Sequence, residues 1–337
     1  MPTSLARARL SALLQAAPRR RIAIIGDAML DVYLRGDVDR ISPEAPVPVV
    51  RVRERRVALG GAANVAQNVA ALGARCRLVA TIGSDAAGHT LCEMLDAIGA
   101  DGHGLVRTSR PTTTKTRVLA RVQQVVRFDE EDDAEPRPDE TDHLVAAVRT
   151  AVADADALVL EDYNKGVLGA TIIECSIALA RERGIPVVVD PKYRNFFCYR
   201  GATIFKPNRR ELEAALGAAI DLEVPDALPR ARMRLGVENL LLTLGERGMV
   251  LVAPSGEIHR IPTTAREVYD VVGAGDTVTA CLATMLAAGA TAGEAAIVAN
   301  FAAGVEVSKL GAATVSPDEL LSAYDAIAAR ANGSTSR

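Results

Sequence analysis

The sequence has no tryptophan, and aromatic residues make up only 3% of its 337 positions. Aromatic side chains that could stack on bases are therefore scarce. Because the formal net charge is -3 and no long basic stripe is present, the composition disfavours a nucleic-acid-binding protein. The four histidines are scattered without ligand spacing, which disfavours a histidine-based metal site. These absences favour a protein that acts on small molecules.

Paired cysteine spacing and long apolar runs are also missing. The five cysteines lie mostly in apolar surroundings and are expected to be reduced core residues. No uninterrupted apolar segment is long enough to span a bilayer, so we expect no membrane contact and a cytoplasmic protein. Residues 1–21 contain arginines but no acidic residue, as a transit peptide would. The leucines from Leu5 to Leu14 fit one helix face, and we predict a short N-terminal helix instead.

Apolar segments alternate with helical patterns along most of the chain, and 49% of the residues are hydrophobic. This alternation predicts an α/β fold with a mostly parallel central sheet and helices on both faces. We expect a single domain over residues 1–330 and a flexible tail at 331–337. Strands are predicted at 22–25, 77–83, 157–160, 187–189, 202–205, 239–243 and 249–252, and helices at 85–98, 142–152, 169–183, 209–216, 276–288 and 292–307.

Two irregular segments interrupt the alternation. Residues 32–57 include a proline-rich stretch that cannot be helical and are typical of exposed edge strands. Residues 111–128 approach strand alternation, and 123–128 are expected to continue the strand that begins at Thr112. We predict that the two segments pair as a small sheet, a lid over the site. The acidic stretch 130–140 is expected to be a solvated loop.

Polar residues follow five of the predicted strands directly, at Asp27 and at 161–165, 190–192, 206–208 and 243–245. Ligands of an open α/β sheet bind at the carboxyl ends of its strands. The repeated position therefore predicts one shared site at this edge, although each cluster alone would also fit a simple turn.

Two glycine turns each precede a helical segment of small residues, at 60–61 and 273–275. The N–H groups at the start of a helix favour an anion. A carboxylate beside such an anion hole, as at Asp276, is best explained as a base. The second turn thus favours phosphoryl transfer, although the same residues would fit a turn with an aspartate N-cap.

Three motifs resemble the ribokinase (PfkB) family of sugar kinases. Gly-Gly-Ala-Ala-Asn at 60–64 and Asp-Val-Val-Gly-Ala-Gly-Asp-Thr at 270–277 look like its two signatures, and Asn-Arg-Arg-Glu at 208–211 is similar to its Asn-x-x-Glu motif. The resemblance implies a ribokinase-like fold with a β-sheet lid, an ATP-dependent sugar kinase, Mg²⁺ and often a monovalent cation such as K⁺. Neither a Gly-x-x-x-x-Gly-Lys-Ser/Thr loop nor a Gly-x-Gly-x-x-Gly turn is present, which disfavours P-loop kinases and dinucleotide folds.

Further segments resemble one subgroup of that family. Ser-Pro-Glu-Ala-Pro-Val-Pro at 42–48, Asp-Tyr-Asn-Lys-Gly at 162–166 and Glu-Val-Tyr-Asp at 267–270 look like the kinases acting on D-glycero-D-manno-heptose 7-phosphate. This implies phosphorylation at the anomeric hydroxyl, giving the 1,7-bisphosphate used for the ADP-heptose of lipopolysaccharide. As the chain ends soon after the kinase region, we expect a stand-alone kinase without adenylyl transfer. The alternatives are a fructokinase, a 2-keto-3-deoxygluconate kinase, or a non-catalytic sugar- or nucleotide-binding regulator.

The resemblance also implies roles for individual residues, with none predicted as a direct metal ligand. Asp276 would take the proton from the attacking hydroxyl, and Asp270 would contribute to the monovalent-cation site. The anion hole would consist of Gly273, Ala274 and Gly275. ATP and magnesium would be held by Asn208, Glu211, Thr243, Gly245 and Asn300. The sugar would contact Asp27, Asp31, Gly60, Gly61, Asn64, Asp162 and Lys192.

A phosphorylated sugar also needs cationic contacts. Lys192 and Arg194 follow a predicted strand, and Arg117 and Arg121 alternate on the lid, so these four are candidates. Exposed strand arginines are commonly just solvated. Lids of this type often pair between subunits in the family, which implies a homodimer.

Overall fold

The computed structural model describes residues 5–121, 123–265, 269–309 and 311–334. Val122 of the predicted lid strand, the Glu267-Val268 part of the subgroup motif and residues 335–337 of the predicted tail lie outside the described residues.

The larger sheet is built around a strand that is buried on both sides. β1 (Arg21–Gly26) lies between two parallel neighbours, β4 (Arg75–Gly83) and β8 (Ala157–Glu161). Such burial is typical of a parallel strand between two helix layers. The sheet also contains β5 (Asp101–Thr108), β9 (Val187–Asp190), β10 (Ile204–Phe205), β11 (Asn239–Thr243), β12 (Met249–Val252) and β13 (Ile258–Ile261).

Within the described ranges the spatial order of this nine-stranded sheet is β13-β12-β11-β10-β9-β8-β1-β4-β5. β12 and β13 are antiparallel at one edge, and the remaining neighbours pair in parallel. The prediction of a mostly parallel central sheet is confirmed.

Helices cover both faces of the sheet, because β1 sends alternate side chains to opposite sides. Ile22 and Ile24 join one hydrophobic core, whereas Ala23 and Ile25 join the other. The first core packs under α1 (Arg7–Ala16), α2 (Ala62–Ala71), α3 (Ala86–Ala97), α8 (Ala274–Ala287), α9 (Ala292–Glu306) and α10 (Pro317–Ser334). The second packs under α4 (Pro138–Val152), α5 (Ala170–Arg183), α6 (Arg209–Leu216) and α7 (Ala227–Leu235).

The two irregular segments form a separate lid sheet, as predicted. Its strands are β2 (Ala28–Ile41), β3 (Pro48–Gly61), β6 (Thr114–Ala120) and β7 (Gln123–Glu130), in the spatial order β3-β2-β6-β7. β2 pairs antiparallel with β3 and parallel with β6. The lid begins at Ala28, directly after Asp27, and so starts closer to the site than residue 32.

One lid prediction is wrong: residues 123–128 do not continue the preceding strand. The chain reverses at Arg121, whose φ of 55° is in the left-handed region, and β7 returns antiparallel to β6. Arginine is uncommon in that conformation, so the sequence carried no turn signal there.

Four other elements were not predicted from the sequence, namely β5, β13, α7 and α10. β5 contains two glycines and β13 is short and polar, so neither has a clear strand pattern. α7 was not predicted, and α10 extends through Ser334, into the segment expected to be a tail. The N-terminal helix is confirmed as α1, with Leu10, Leu13 and Leu14 buried. No helix in the described part of the chain is long and apolar enough to cross a membrane.

Residues paired across strands share a face of the lid sheet. Asp31 lies opposite Ala58 on β3 and opposite Lys115 on β6. Tyr33, two residues further along β2, lies opposite Arg117. Because side chains alternate along a strand, these five residues point to the same side.

That side of the lid sheet faces the part of the protein that contains the larger sheet. Burial raises the pKa of Tyr33, and the charges of Asp31 and Asp270 raise it further. The guanidinium of Arg56, which is paired with Tyr33, lies 3.2 Å from where a Cβ on Gly311 would be. We therefore call the side that carries Asp31, Tyr33, Arg56, Lys115 and Arg117 the inner face of the lid.

Candidate active site

The second glycine turn opens α8, as the sequence predicted. Gly273 has a φ of 95°, and a Cβ there would lie 3.1 Å from Nδ2 of Asn64, so glycine suits both the conformation and the close approach. The first N–H groups of a helix have no intrahelical partner, and this end of the helix favours negative charge. The start of α8, with Ala274 and Gly275, therefore has the features of an anion hole.

Asp276 lies in the first turn of α8 and is 4% exposed. Its Oδ2 accepts a 2.7 Å hydrogen bond from the Asn64 amide, and its Oδ1 accepts one of 2.7 Å from the Tyr163 hydroxyl. Burial raises the pKa of Asp276 to about 6, although both hydrogen bonds lower it. A carboxylate with such a pKa is suited to act as a general base near neutral pH.

Asn64 is itself held by a chain of buried polar groups between α2 and α8. The Thr277 hydroxyl donates to Oδ1 of Asn68 at 3.0 Å, and Nδ2 of Asn68 donates to the Asn64 carbonyl at 3.0 Å and to its Oδ1 at 3.3 Å. Because Oδ1 of Asn64 accepts from Asn68, the Nδ2 group of Asn64 is oriented to donate to Asp276. Asn64 was predicted to contact the sugar, which stays a prediction, and the structure shows its contact with Asp276.

The ends of three parallel strands bring charged side chains to the same place. Oxygen atoms of Glu161, Asp190 and Asp276 lie within 4.8 Å of one another, and Nζ of Lys206 is 2.7 Å from Oδ2 of Asp190. Burial raises the pKa of Glu161 well above its ordinary range, as do the neighbouring carboxylates, and neither of its oxygens has a hydrogen-bond partner. Burial lowers the pKa of Lys206, but Asp190 and Glu161 outweigh it and the pKa is raised. Lys206 therefore stays cationic in this cluster.

This cluster was missed as part of the site. Sequence analysis placed polar residues at each of these strand ends, but it did not select Glu161, Asp190, Lys206 or Tyr163. Their position after apolar runs was the available signal, and it marks many ordinary turns as well.

Asp27 binds backbone rather than open space. Its carboxylate accepts N–H groups from Tyr163 at 2.7 Å, Lys165 at 2.9 Å and Val167 at 3.1 Å. Asp27 therefore holds the segment whose Tyr163 hydroxyl contacts Asp276. Its predicted contact with the sugar stays a prediction.

Asp162 has a similar supporting role. It accepts the Asn164 N–H at 2.7 Å and the Tyr199 hydroxyl at 2.8 Å. Burial, together with the charge of Asp27, raises the pKa of Asp162 to about 6. The contacts leave this carboxylate buried behind the site, and its predicted sugar contact is untested.

The first glycine turn packs directly against the start of β2. A Cβ on Gly60 would lie 2.6 Å from Oδ2 of Asp31, and one on Gly61 would lie 2.3 Å from the carbonyl oxygen of Asp27. Gly61 also has a φ of 56°. Gly61 requires glycine because the backbone of Asp27 approaches so closely, whereas a Cβ at position 60 would displace the side chain of Asp31, which is ion-paired with Arg117.

The Asn-x-x-Glu motif forms a reciprocal cap on α6. Oδ1 of Asn208 accepts the Glu211 N–H at 2.9 Å, and Oε2 of Glu211 accepts the Asn208 N–H at 2.8 Å. Nζ of Lys192 contacts Oε1 of Glu211 and lies 5.2 Å from the centre of the Tyr163 ring. The motif is thus connected to Asp276 through Lys192 and Tyr163.

The remaining nucleotide-side candidates lie further along the same edge. Thr243, the last residue of β11, forms a parallel bridge with Asn208, and Gly245 follows two residues later with a φ of 61°. Asn300, on α9, donates to the Pro262 carbonyl at 2.8 Å. Within the described residues no hydrogen bond or ion pair joins Asn300 to Asp276, and its role stays a prediction.

Most of the cations proposed for the sugar phosphate already have partners. Arg194 is ion-paired with Asp133, Arg117 with Asp31, and Lys192 with Glu211. Arg121 lies at the exposed lid turn, where its N–H donates to the Gly36 carbonyl. None of these observations identifies a phosphate contact.

Comparison with known proteins places this architecture in one class. The chain matches the pfkB family carbohydrate kinases over residues 19–319. It is similar to a ribokinase from Arabidopsis thaliana, solved with ribose and ATP, with a TM-score of 0.71 and 21% identity over 90% of this chain and 98% of that one. It is also similar to phosphofructokinase-2 from Escherichia coli, with a TM-score of 0.74 and 20% identity over 92% and 99% of the two chains. The fold and site are those of an ATP-dependent sugar kinase, and the chain belongs to the pfkB family.

Curated relatives are more similar in sequence. The D-beta-D-heptose 7-phosphate kinase of Bordetella bronchiseptica is 47% identical, over 90% of this chain and 95% of that protein. The bifunctional protein HldE of Rhodospirillum rubrum is 45% identical, over 93% of this chain and 64% of that protein. The chain therefore spans slightly less than two thirds of the bifunctional relative.

Proposed function

We propose that this chain transfers a phosphoryl group from ATP to the anomeric hydroxyl of D-glycero-β-D-manno-heptose 7-phosphate, giving the 1,7-bisphosphate. The observation that carries the proposal is the buried Asp276, held by Asn64 and Tyr163 at the start of α8. The name and 47% identity of the Bordetella bronchiseptica relative support the choice of sugar. The product would serve ADP-heptose synthesis for lipopolysaccharide.

In the proposed reaction, Asp276 accepts the proton of the attacking hydroxyl as the phosphoryl group arrives at the start of α8. The N–H groups of Gly273, Ala274 and Gly275 stabilise the negative charge of the transferred phosphoryl group. A Cβ on Gly275 would lie 3.7 Å from Nζ of Lys206, so the lysine adds positive charge at the same end of the helix. Tyr163 and Asn64 hold the carboxylate towards the sugar hydroxyl.

Magnesium would be held with the nucleotide phosphates by Glu211. Mg²⁺ prefers carboxylate oxygens and keeps several waters, and Glu211 is a carboxylate with 18% of its side chain exposed at the start of α6. The Glu161, Asp190 and Asp276 oxygens are also hard donors and lie within 4.8 Å of one another; Asp190 is ion-paired with Lys206, as Glu211 is with Lys192. When bound, Mg²⁺ would neutralise charge on the β- and γ-phosphates.

A substrate panel tests the proposal. Purified protein with MgATP should phosphorylate heptose 7-phosphate with a kcat/KM at least tenfold above that for fructose or 2-keto-3-deoxygluconate, an order-of-magnitude expectation for a site that binds the extra phosphate. Mapping the product should place the new phosphate on the anomeric oxygen. Faster turnover of an unphosphorylated sugar would contradict the proposed substrate, and ATP consumption that does not depend on sugar would contradict the mechanism.

The pH profile should report the environment of Asp276. We expect kcat/KM to fall below about pH 6, because protonation removes the base. Replacing Tyr163 with phenylalanine removes a hydrogen bond that lowers the pKa of Asp276, so the midpoint should rise by about one pH unit or more and kcat should fall.

The matched control is Tyr199→Phe, which removes a buried hydroxyl that donates to Asp162 instead. Its midpoint should equal that of the wild type. The sugar phosphate also titrates near pH 6, so the difference between each variant and the wild type is the informative quantity. Equal midpoints for Tyr163→Phe and the wild type would show that Tyr163 does not set the pKa of the base.

A monovalent cation is proposed beside Asp270. Asp270 accepts N–H groups from Val272 at 3.0 Å and Gly311 at 3.2 Å, and burial together with the charge of Asp270 raises the pKa of the nearby Glu306 to about 8. A bound cation would offset the charge of Asp270 and lower the pKa of Glu306. Turnover should therefore be faster in KCl than in choline chloride at equal ionic strength, and equal rates would contradict the site.

We also propose a homodimer that forms through the outer face of the lid. Val126 and Phe128 lie on the side opposite the inner face and are 48% and 47% exposed. Light scattering of the wild type should give twice the chain mass, and Phe128→Asp should shift it towards the mass of one chain.

A further inference from the structure

The inner face of the lid carries more positive than negative charge around Lys115. This residue lies opposite Asp31 on β2 and opposite Asp129 on β7. Both carboxylates are already engaged, because Asp31 is ion-paired with Arg117 and Asp129 is 3.0 Å from Nε of Arg127. Among the described residues, the ammonium group of Lys115 has neither a hydrogen bond nor an ion pair.

A second lysine, Lys165, approaches the same position from the segment that follows β8 of the larger sheet. Lys165 lies 2.7 Å from Glu131, so the third carboxylate near Lys115 is also occupied. Burial lowers the pKa of Lys115, and the charge of Lys165 lowers it further, while Glu131 and Asp129 raise it. The group contains four cations and three carboxylates, namely Lys115, Arg117, Arg127 and Lys165 with Asp31, Asp129 and Glu131.

An ammonium group that is half-buried without a partner loses hydration and gains no compensating contact. Here such a lysine, Lys115, lies beside a second one, Lys165. The lost hydration and the repulsion between the two ammonium groups oppose folding slightly. An anion that enters between Lys115 and Lys165 would remove this cost and leave the group electrically balanced or negative.

The lysine pair lies beside the proposed sugar site. Lys165 is two residues from Tyr163, whose hydroxyl contacts Asp276, and its N–H donates to Asp27 at 2.9 Å. Lys115 is on the strand next to Asp31. The transferred phosphoryl group is bound at the start of α8, whereas these lysines lie between the lid and the 163–167 segment.

We propose that Lys115 and Lys165 bind the phosphate monoester that the sugar carries before the reaction. The proposal rests on the proposed function, because it assigns one group of that substrate to named side chains. Anomeric phosphorylation places the reacting oxygen at C1 and the resident phosphate at C7, so the two ends of the sugar need two anion sites. The start of α8 and the lysine pair are those sites.

Lys115→Met tests the assignment, since it keeps the apolar length of the side chain and removes its charge. The KM for heptose 7-phosphate should rise about 10- to 100-fold, as expected when a charge-assisted contact is lost. The KM for the same heptose without its phosphate, and the KM for ATP, should change by less than about threefold. Thermal stability should stay equal or rise, because an unpaired half-buried charge is removed.

Arg55→Met is the matched control. Arg55 is an exposed cation of β3 paired with Leu34, and it therefore points to the opposite side of the same sheet from Lys115. This variant should leave all three KM values within about threefold of the wild type, because it removes only a solvated charge.

The outcomes separate the two proposals. If the wild type does not phosphorylate heptose 7-phosphate, both the proposed substrate and the phosphate site are overturned. If the wild type does so but Lys115→Met raises the KM equally for the phosphorylated and unphosphorylated sugars, only the phosphate site is overturned. A rise confined to ATP, or a loss of thermal stability with unchanged KM values, would likewise overturn it.

Discussion

Asp276→Asn should lower kcat by about 10²–10⁴-fold, the range expected when a positioned general base is lost. The asparagine can still accept the Tyr163 hydroxyl, but its amide nitrogen would face the Asn64 amide, which is also a donor. The affinity for nucleotide should remain nearly intact, because the carboxylate acts on the sugar hydroxyl. Steady-state kinetics together with nucleotide titration measure both quantities.

Asp139→Asn is a suitable control for that experiment. Asp139 also lies in the first turn of a helix, α4, but its side chain is 65% exposed. Its kcat should match the wild type. Near-normal turnover of Asp276→Asn would remove Asp276 from the role of base.

Lys206→Met should have the largest effect on stability. It would leave Asp190 buried without its 2.7 Å partner, within 4.8 Å of the Glu161 and Asp276 oxygens. Removing one partner of a buried ion pair lowers the free energy of unfolding by about 3–5 kcal/mol. The loss should be greatest above pH 6 and shrink at lower pH, because Asp276, whose pKa is about 6, then becomes neutral.

Two further variants complete this test by denaturant unfolding. Lys206→Met combined with Asp190→Asn removes both charges and should recover part of the loss. Arg7→Met breaks an exposed pair with Asp325 and should lower the free energy of unfolding far less than Lys206→Met does, because solvent screens that pair. A loss for Lys206→Met as small as that for Arg7→Met would contradict the proposed importance of the buried pair.

The burial of Asp276 also determines how the stability of the folded state changes with pH. Its pKa is raised in the folded state, so ionisation opposes folding at pH values above about 6. This penalty is relieved as the pH falls through 6 towards the ordinary value of 3.8. The protein thus accepts a less stable folded state at neutral pH in return for a base poised near that pH.

Several elements around the site were predictable, because the sequence features that produce them are local. The apolar run at 22–25 predicted β1, and Gly273-Ala274-Gly275 predicted the turn that opens α8. The motif at 208–211 also has a local geometry, a helix cap formed within four residues. Such features depend on neighbouring backbone and side chains, which a sequence window contains.

The chain reversal at Arg121 and strand β5 were not predictable in this way. Arg121 adopts a left-handed conformation that glycine or asparagine would normally mark. β5 joins the sheet through pairing with β4 despite its glycines. In both places contacts with the rest of the sheet override the local preference.

The sequence by itself determined the order of strands and helices, the two glycine turns and a carboxylate at the start of α8. Only the tertiary structure decided what surrounds that carboxylate: Asn64 comes from 212 residues away and Tyr163 from 113. It likewise decided that Asp27 holds backbone and that the Lys115 ammonium has no hydrogen bond or ion pair among the described residues. The physical reason is that helix and strand formation depends on near neighbours, whereas burial, charge pairing and pKa depend on which distant side chains share a small space with little water.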